Sequence, residues 1–276
     1  MPFTTGGDGA RIAYEVGGRT DGEPLLLIQG LGADSKGWAA QRYALGRRHR
    51  LLVVDNRGAG GSDKPEGPYD LEVMAQDALA VLDAEGIESA HVVGASMGGV
   101  IAQIIAVRSP ERVRSLVLSC TACHHHAWRV ELLESWAELA ETRGMRALAG
   151  EAIRWLVGPR HHVRFRVPFG LLGPLVLDIP AHAFAAQARA IIAMSDDVRE
   201  ELRFVAVPTL VIVGTQDILT PVADSEELAE LIPGAELSVV PGAAHGLMIE
   251  AANAFNDRVL EFLDRATRWQ PVTATQ

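Results

Sequence analysis

Short runs of uninterrupted hydrophobic residues, each closed by glycine or a polar residue, recur along the chain. They are Glu23 to Gly30 (EPLLLIQG), Arg50 to Asp55 (RLLVVD), His91 to Gly94, Val113 to Ser119, Pro208 to Gly214 and Glu236 to Val240. Runs of this length without polar alternation predict strands covered on both faces, as in a parallel sheet. Between several of them lie helical patterns, such as Leu71 to Glu85 and Gly98 to Arg108, so the chain predicts an α/β fold with a mostly parallel sheet. The first residues, Phe3 to Val16, alternate around Gly7-Asp8-Gly9 and predict a hairpin that adds antiparallel edge strands. The rhythm breaks between Cys120 and Ala206, where Arg129 to Arg143, Met145 to Leu156 and Ala181 to Ala193 read as helices. The economical reading is one discontinuous α/β core, residues 1–120 and 207–270, split by an all-helical cap over residues 121–206. Residues 271–276 read as a disordered tail. A cap leaving the core at this point can fold over the carboxyl ends of the strands, the edge at which open α/β sheets bind ligands.

Composition narrows the class. The chain has 276 residues, 48% of them hydrophobic and 22% charged, with a formal net charge of −10. That is an ordinary soluble globular composition, and it lacks the concentrated basic surface that nucleic acid requires. The densest basic run, Arg47-Arg48-His49-Arg50, precedes a strand and reads as a solvated loop. The N-terminus has no positive segment followed by an apolar one, so a cytoplasmic location is expected. No apolar run approaches the roughly 18 residues of a membrane span. The nearest, Phe169 to Ile179, is broken by Gly170, Gly173, Pro174 and Asp178. Cys120 and Cys123 form a C-x-x-C without the second ligand pair of a zinc site or the βαβ setting of a redox motif, and read as structural thiols. No metal or cofactor is expected, and a homodimer stays open.

Candidate chemistry concentrates at Gly94-Ala95-Ser96-Met97-Gly98, a Gly-x-Ser-x-Gly set between an apolar run and a helical one. In isolation such a pentapeptide is equally a plain turn. After a strand and before a helix it describes a nucleophile elbow, with Ser96 on a strained turn and the Met97 N–H at a helix N-terminus, facing a developing oxyanion. A serine hydroxyl needs a base, and the base needs a carboxylate to fix its tautomer. His245 follows the strand Glu236 to Val240, and Asp217 follows the strand Pro208 to Gly214, so both are expected at the carboxyl edge where Ser96 sits. Ser96, Asp217 and His245 stand in the chain order of one particular fold.

With these residues in place, the chain resembles α/β-hydrolase-fold proteins of the single-core, helical-lid type, which include carboxylesterases and 3-oxoadipate enol-lactonases. The resemblance runs from about Phe3 to Asp264. It also includes Gln29-Gly30-Leu31-Gly32 after the third strand, Asp55 to Ser62 after the fourth, and Ser109 to Val113 before the next. It implies an eight-stranded sheet with the cap inserted after the sixth strand, and an oxyanion hole made by the N–H groups of Leu31 and Met97. Gln29 departs from the family, which usually has histidine before the oxyanion-loop glycine.

Other candidates read as structural. His91 precedes the elbow on its strand and is expected in the core; Asp55 is expected to brace the turn after it; Glu250 reads as a structural charge. His124, His125 and His126 are internal and poorly spaced for chelation. The alternative position for the acid, after the sixth strand, reads Thr121-Ala122-Cys123-His124 and holds no carboxylate. The apolar segment Val163 to Pro180 is expected to pack on the core and to wall an apolar pocket. Gln29, Gly30, Trp38, Trp128, Trp136, Trp155 and Met248 are further candidates for its lining.

A serine at the elbow disfavours the dehalogenase and epoxide-hydrolase relatives, which use aspartate there. Gly246 beside His245 disfavours the hydroxynitrile lyases, which depend on a lysine. The expected function is cofactor-free hydrolysis of a carboxylic ester or lactone of a small apolar substrate through an acyl-enzyme on Ser96. Carbon–carbon bond hydrolysis or perhydrolysis by the same triad, and a non-catalytic small-molecule receptor, remain as alternatives.

Overall fold

The computed structural model describes residues 1–159, 179–195 and 197–268. Eight strands form one sheet: β1 (Phe3–Thr5), β2 (Arg11–Gly18), β3 (Glu23–Ile28), β4 (His49–Val54), β5 (Ala90–Ala95), β6 (Val113–Ser119), β7 (Thr209–Gly214) and β8 (Glu236–Val240). Their order across the sheet is β1-β2-β4-β3-β5-β6-β7-β8. The hairpin strands pair antiparallel, β1 with β2 and β2 with β4, and the other neighbours are parallel.

The unbroken apolar runs have a direct cause. In β3, Leu26 and Ile28 enter one hydrophobic cluster while Leu25 and Leu27 enter the other, and in β4 Leu52 and Val54 are separated from Leu51 and Val53 in the same way. Both faces are covered, so both sets of alternating positions must be apolar. Helices α1 (Ala39–Gly46), α2 (Leu71–Ala84) and α3 (Met97–Arg108) belong to the first part of the chain. Helix α2 starts where the Asp70 carboxylate accepts from Glu72 N at 2.7 Å, an N-cap that satisfies one of its free amides.

Between β6 and β7, the described residues carry only helices: α4 (Ala127–Arg143), α5 (Met145–Leu156), α6 (Ala181–Ile192), the short α7 (Asp197–Glu201) and a 3-10 turn. Helices α8 (Val222–Leu231), α9 (Leu247–Glu250) and α10 (Ala252–Ala266) complete the chain. Most of the apolar segment 163–180, and the tail 271–276, lie outside the described residues. No described helix is long and apolar enough to cross a membrane.

One local expectation is corrected. The basic run 47–50 is not wholly a solvated loop, because His49 opens β4 and is buried, with Nδ1 3.3 Å from Leu45 O. The register that pairs Glu23 with His49 draws the histidine into the sheet.

Candidate active site

Ser96 stands between β5 and α3 with φ 53° and ψ −119°. A non-glycine residue in this left-handed region is strained, and neighbouring contacts hold it there. Its N–H donates to Ser119 O at 2.9 Å, and its carbonyl accepts from Thr121 Oγ1 at 2.8 Å. The flanking glycines are required by space. A Cβ on Gly94 would overlap the Gly98 carbonyl, and one on Gly98 would overlap the Ile28 carbonyl.

The loops after β7 and β8 bring the other two residues to the same edge. His245 Nε2 lies 3.0 Å from Ser96 Oγ, and His245 Nδ1 lies 2.9 Å from Asp217 Oδ2. Asp217 is buried and its carboxylate is fully engaged: Oδ1 accepts from Leu219 N at 3.0 Å and Thr220 N at 2.8 Å, and Oδ2 accepts from Thr220 Oγ1 at 2.8 Å. Burial alone would push its pKa up. The charge of His245 and the bonds from His245 and Thr220 outweigh burial and hold the carboxyl below its ordinary value. Thr220 was not anticipated from the sequence, although an Asp followed by a hydroxyl residue three positions on is a recognisable Asx-turn signal.

Facing Ser96 is the loop 29–33. A Cβ on Gly30 would lie 3.0 Å from Ser96 Cβ and 3.2 Å from Ala95 O, so a side chain there would press on the serine and glycine eases the approach. In this loop Gly30 N donates to Gln29 Oε1 at 2.9 Å, Gly32 N to Gln187 Oε1 at 2.9 Å and Ala33 N to Gly30 O at 3.2 Å. Among the described residues nothing accepts from the N–H of Leu31 or of Met97, and both residues line the cavity above Ser96. The Gln29 side chain therefore turns back onto its own loop, and Asn56 Nδ2 holds the Gln29 carbonyl at 2.8 Å.

The cavity has a volume of about 430 Å³, within the usual range for small-molecule sites. Its floor includes Gly30, Ser96 and His245, and its roof is mainly apolar, with Leu133, Trp136, Leu148, Phe184 and Ile191 from the inserted helices. Gln29, Met248 and His125 also line it. Three expected lining residues are corrected. Trp38 is fully buried on the other side of the sheet, where it packs on Phe255 with ring centroids 6.3 Å apart. Trp128 and Trp155 stack on each other at 6.1 Å, outside the cavity wall.

The remaining candidates have structural surroundings. His91 is buried, with Nδ1 2.7 Å from Ser115 Oγ and Nε2 3.0 Å from Glu23. Asp55 accepts from Ser35 N and Gly61 N, bracing the turn that follows it. Glu250 closes α9 and accepts from Ala244 N and Gly158 N. Both cysteines are free and buried, and burial pushes the Cys123 thiol up to about 12 and the Cys120 thiol well above its ordinary value. Cys120, Asp217 and His245 are the one group among the described residues whose ligand atoms lie close enough to share a cation, within 4.8 Å. The acid and the imidazole are already bonded to each other, and the thiol is held protonated, so the donors suit a proton network better than a metal.

Known proteins place this geometry in context. A family profile described as "alpha/beta hydrolase fold" matches residues 23–152, and one described as "TAP-like protein" matches residues 192–274. A protein of Azorhizobium caulinodans bearing the name of a carbamate hydrolase, RutD, is 33% identical over 95% of this chain and 98% of its own. The 3-oxoadipate enol-lactonase 2 of Acinetobacter baylyi is 30% identical, over 92% of this chain and 93% of its own. The crystal structure of the enol-lactonase from Burkholderia xenovorans LB400 superposes with a TM-score of 0.88 at 32% identity, covering 95% of this chain and all of that one.

Proposed function

The chain belongs to the α/β-hydrolase family and is a hydrolase, and on that footing we propose that it cleaves a carboxylic ester or lactone by way of an acyl-enzyme on Ser96. The observation that carries this reading is the hydrogen-bonded line from Asp217 through His245 to Ser96, at 2.9 and 3.0 Å. Relatives named as enol-lactonases support the bond type.

In this mechanism His245 Nε2 takes the Ser96 proton as Oγ attacks the substrate carbonyl. Asp217 keeps the other ring nitrogen protonated and stabilises the imidazolium that forms. The carbonyl oxygen, now negative, lies against the N–H groups of Leu31 and Met97, each such donor contributing roughly 2.7–4 kcal/mol to the transition state. His245 returns its proton to the leaving alkoxide, which departs as the alcohol, or stays tethered to the acyl group if the substrate is a lactone. Water, deprotonated by His245, then releases the acid and restores Ser96. Residues 121–206 act as the cap of this site, and its apolar roof favours small substrates with apolar acyl or ring groups. No step calls for a cofactor.

A fluorophosphonate probe combined with a panel of esters and lactones tests the reading. Wild type is expected to label at Ser96 and to turn over members of the panel, while Ser96→Ala and His245→Ala fold and do neither. Absence of labelling together with absence of turnover in wild type would leave a non-catalytic binding protein.

A further inference from the structure

The cap is fastened to the core by polar contacts that fall beside the reacting groups. Next to His245, Gly246 N donates to Leu156 O at 2.7 Å. Between Asp217 and Thr220, Leu219 O accepts from Arg129 Nε at 2.8 Å, and the same buried guanidinium pairs with Asp224. Beside Leu31, the contact is made by Gln187, on the face of α6 turned to the core.

Gln187 is completely buried. Its Oε1 accepts from Gly32 N at 2.9 Å, and its Nε2 donates to Arg57 O at 2.7 Å. One side-chain amide thus ties together two core loops, the one after β3 and the one after β4. Every residue from Ala183 to Ala188 is buried, so an apolar side chain at 187 would suit the packing, whereas a buried amide is tolerated only when both ends are bonded. The partner it holds is also particular. Gly32 has φ +74°, and its missing side chain leaves room for Phe184, whose ring a Cβ would approach to 3.0 Å. Gln187 holds the 31–32 peptide through Gly32 N, and Ala33 N holds the Gly30 carbonyl of the 30–31 peptide at 3.2 Å, so the peptide groups on both sides of Leu31 are fixed. Among the described residues the Leu31 N–H is left without an acceptor, at the wall of the cavity.

We propose that Gln187 is a positioning residue that sets the oxyanion loop from the cap, so that the Leu31 donor is correctly aimed only while helix α6 is docked. The proposal rests on the serine-hydrolase reading above. It couples admission of substrate to assembly of the site: a cap displaced far enough to part Gln187 from Gly32 releases the loop, and closure over the substrate restores it.

The test compares wild type with Gln187→Met, which keeps the volume, Gln187→Ala, which removes it, and Gln187→Glu, which keeps an acceptor for Gly32 N. Folding is followed by thermal melting, and kinetics are measured well below each midpoint. In Gln187→Met and Gln187→Ala, kcat is expected to fall about tenfold with little change in KM, a smaller loss than the roughly 100- to 1000-fold of removing an oxyanion donor outright. A trifluoromethyl ketone, whose serine adduct carries the same oxyanion, should weaken by the same factor. The pH at which activity falls on the acid side should stay where it is in wild type, since His245 and Asp217 are untouched. Gln187→Glu should recover part of the loss. A folded Met or Ala variant with wild-type kcat and undiminished ketone affinity would overturn the proposal, as would a loss confined to KM. Should one of the two fail to fold, the other decides. An inactive, unlabelled wild type would instead overturn the serine-hydrolase reading, and this proposal with it.

Discussion

Thr220 and His245 converge on a single oxygen: Asp217 Oδ2 accepts from the threonine hydroxyl at 2.8 Å and lies 2.9 Å from the histidine Nδ1. The threonine therefore helps fix which lone pair faces the imidazole. Replacing it by valine keeps the shape and deletes the donor. A hydrogen bond to a charged group is worth about 1.5–3 kcal/mol, so Thr220→Val is expected to lose stability on that scale and to lower kcat several-fold. The sign of its pH effect follows from linkage. Asp217 is held below its ordinary pKa, so its contribution to stability is complete above the unfolded value of about 3.9 and is lost as pH falls through the folded value. Removing a bond to the ionised form raises the folded pKa, and acid unfolding, followed by circular dichroism, should begin at a higher pH than in wild type.

Strain at Ser96 should be measurable as stability withheld. A residue held at φ 53° without glycine's freedom costs on the order of 1 kcal/mol. Ser96→Gly is expected to abolish ester hydrolysis while raising the melting temperature by roughly 2–4 °C, the shift that about 1 kcal/mol produces in a chain of this class. An unchanged or lower midpoint would mean that the elbow is not under strain.

His49 and His91 predict a separate pH effect. Burial lowers both pKa values, and the bond to Glu23 offsets this only in part for His91; Arg114 and Arg48 add to the lowering, while Asp264 near His49 opposes it. A histidine with a depressed folded pKa is neutral when folded, and the unfolded chain takes up the proton below about 6.5. Stability is therefore complete above that pH and falls as pH drops below it, by at most about 1.4 kcal/mol per pH unit for each ring. Thermal melts between pH 7 and pH 5 should show this slope, and His91→Gln should make it shallower. A flat profile would mean that the two rings take up protons over the same pH range in the folded and unfolded chains, and a stability that rises toward pH 5 would mean that they are held protonated in the fold.

The parts of the fold legible in the sequence are those in which a single physical demand acts on adjacent residues. Burial on both faces makes β3 and β4 continuous apolar words, and the clash of any side chain with the Gly98 and Ile28 carbonyls writes glycine at 94 and 98. The order Ser96, Asp217, His245 is legible because each follows a strand. Gln187 was not, since a glutamine gains its meaning only from partners brought in by the fold, here 155 residues away, whereas Thr220 lies three residues from the carboxylate it holds and matters only because the fold brings His245 to that same oxygen. The tryptophans failed for a related reason. Hydrophobicity says that Trp38, Trp128 and Trp155 seek cover, but not whether that cover is a core, a neighbouring ring or a cavity wall. Trp38 found Phe255, and the other two found each other.

Helix α3 has no solvent-facing stripe: every residue from Met97 to Ala106 is buried. It is thereby a fixed post at the centre of the molecule, with Ser96 at its tip and the Met97 N–H, the proposed oxyanion donor, in its first turn. Its amides are expected to be among the slowest to exchange with deuterium, opening only with the whole fold. Under the proposed mechanism, any breathing that lets substrate in and product out must then happen around the serine, whose Oγ serves as the stationary origin against which every other part of the site is aligned.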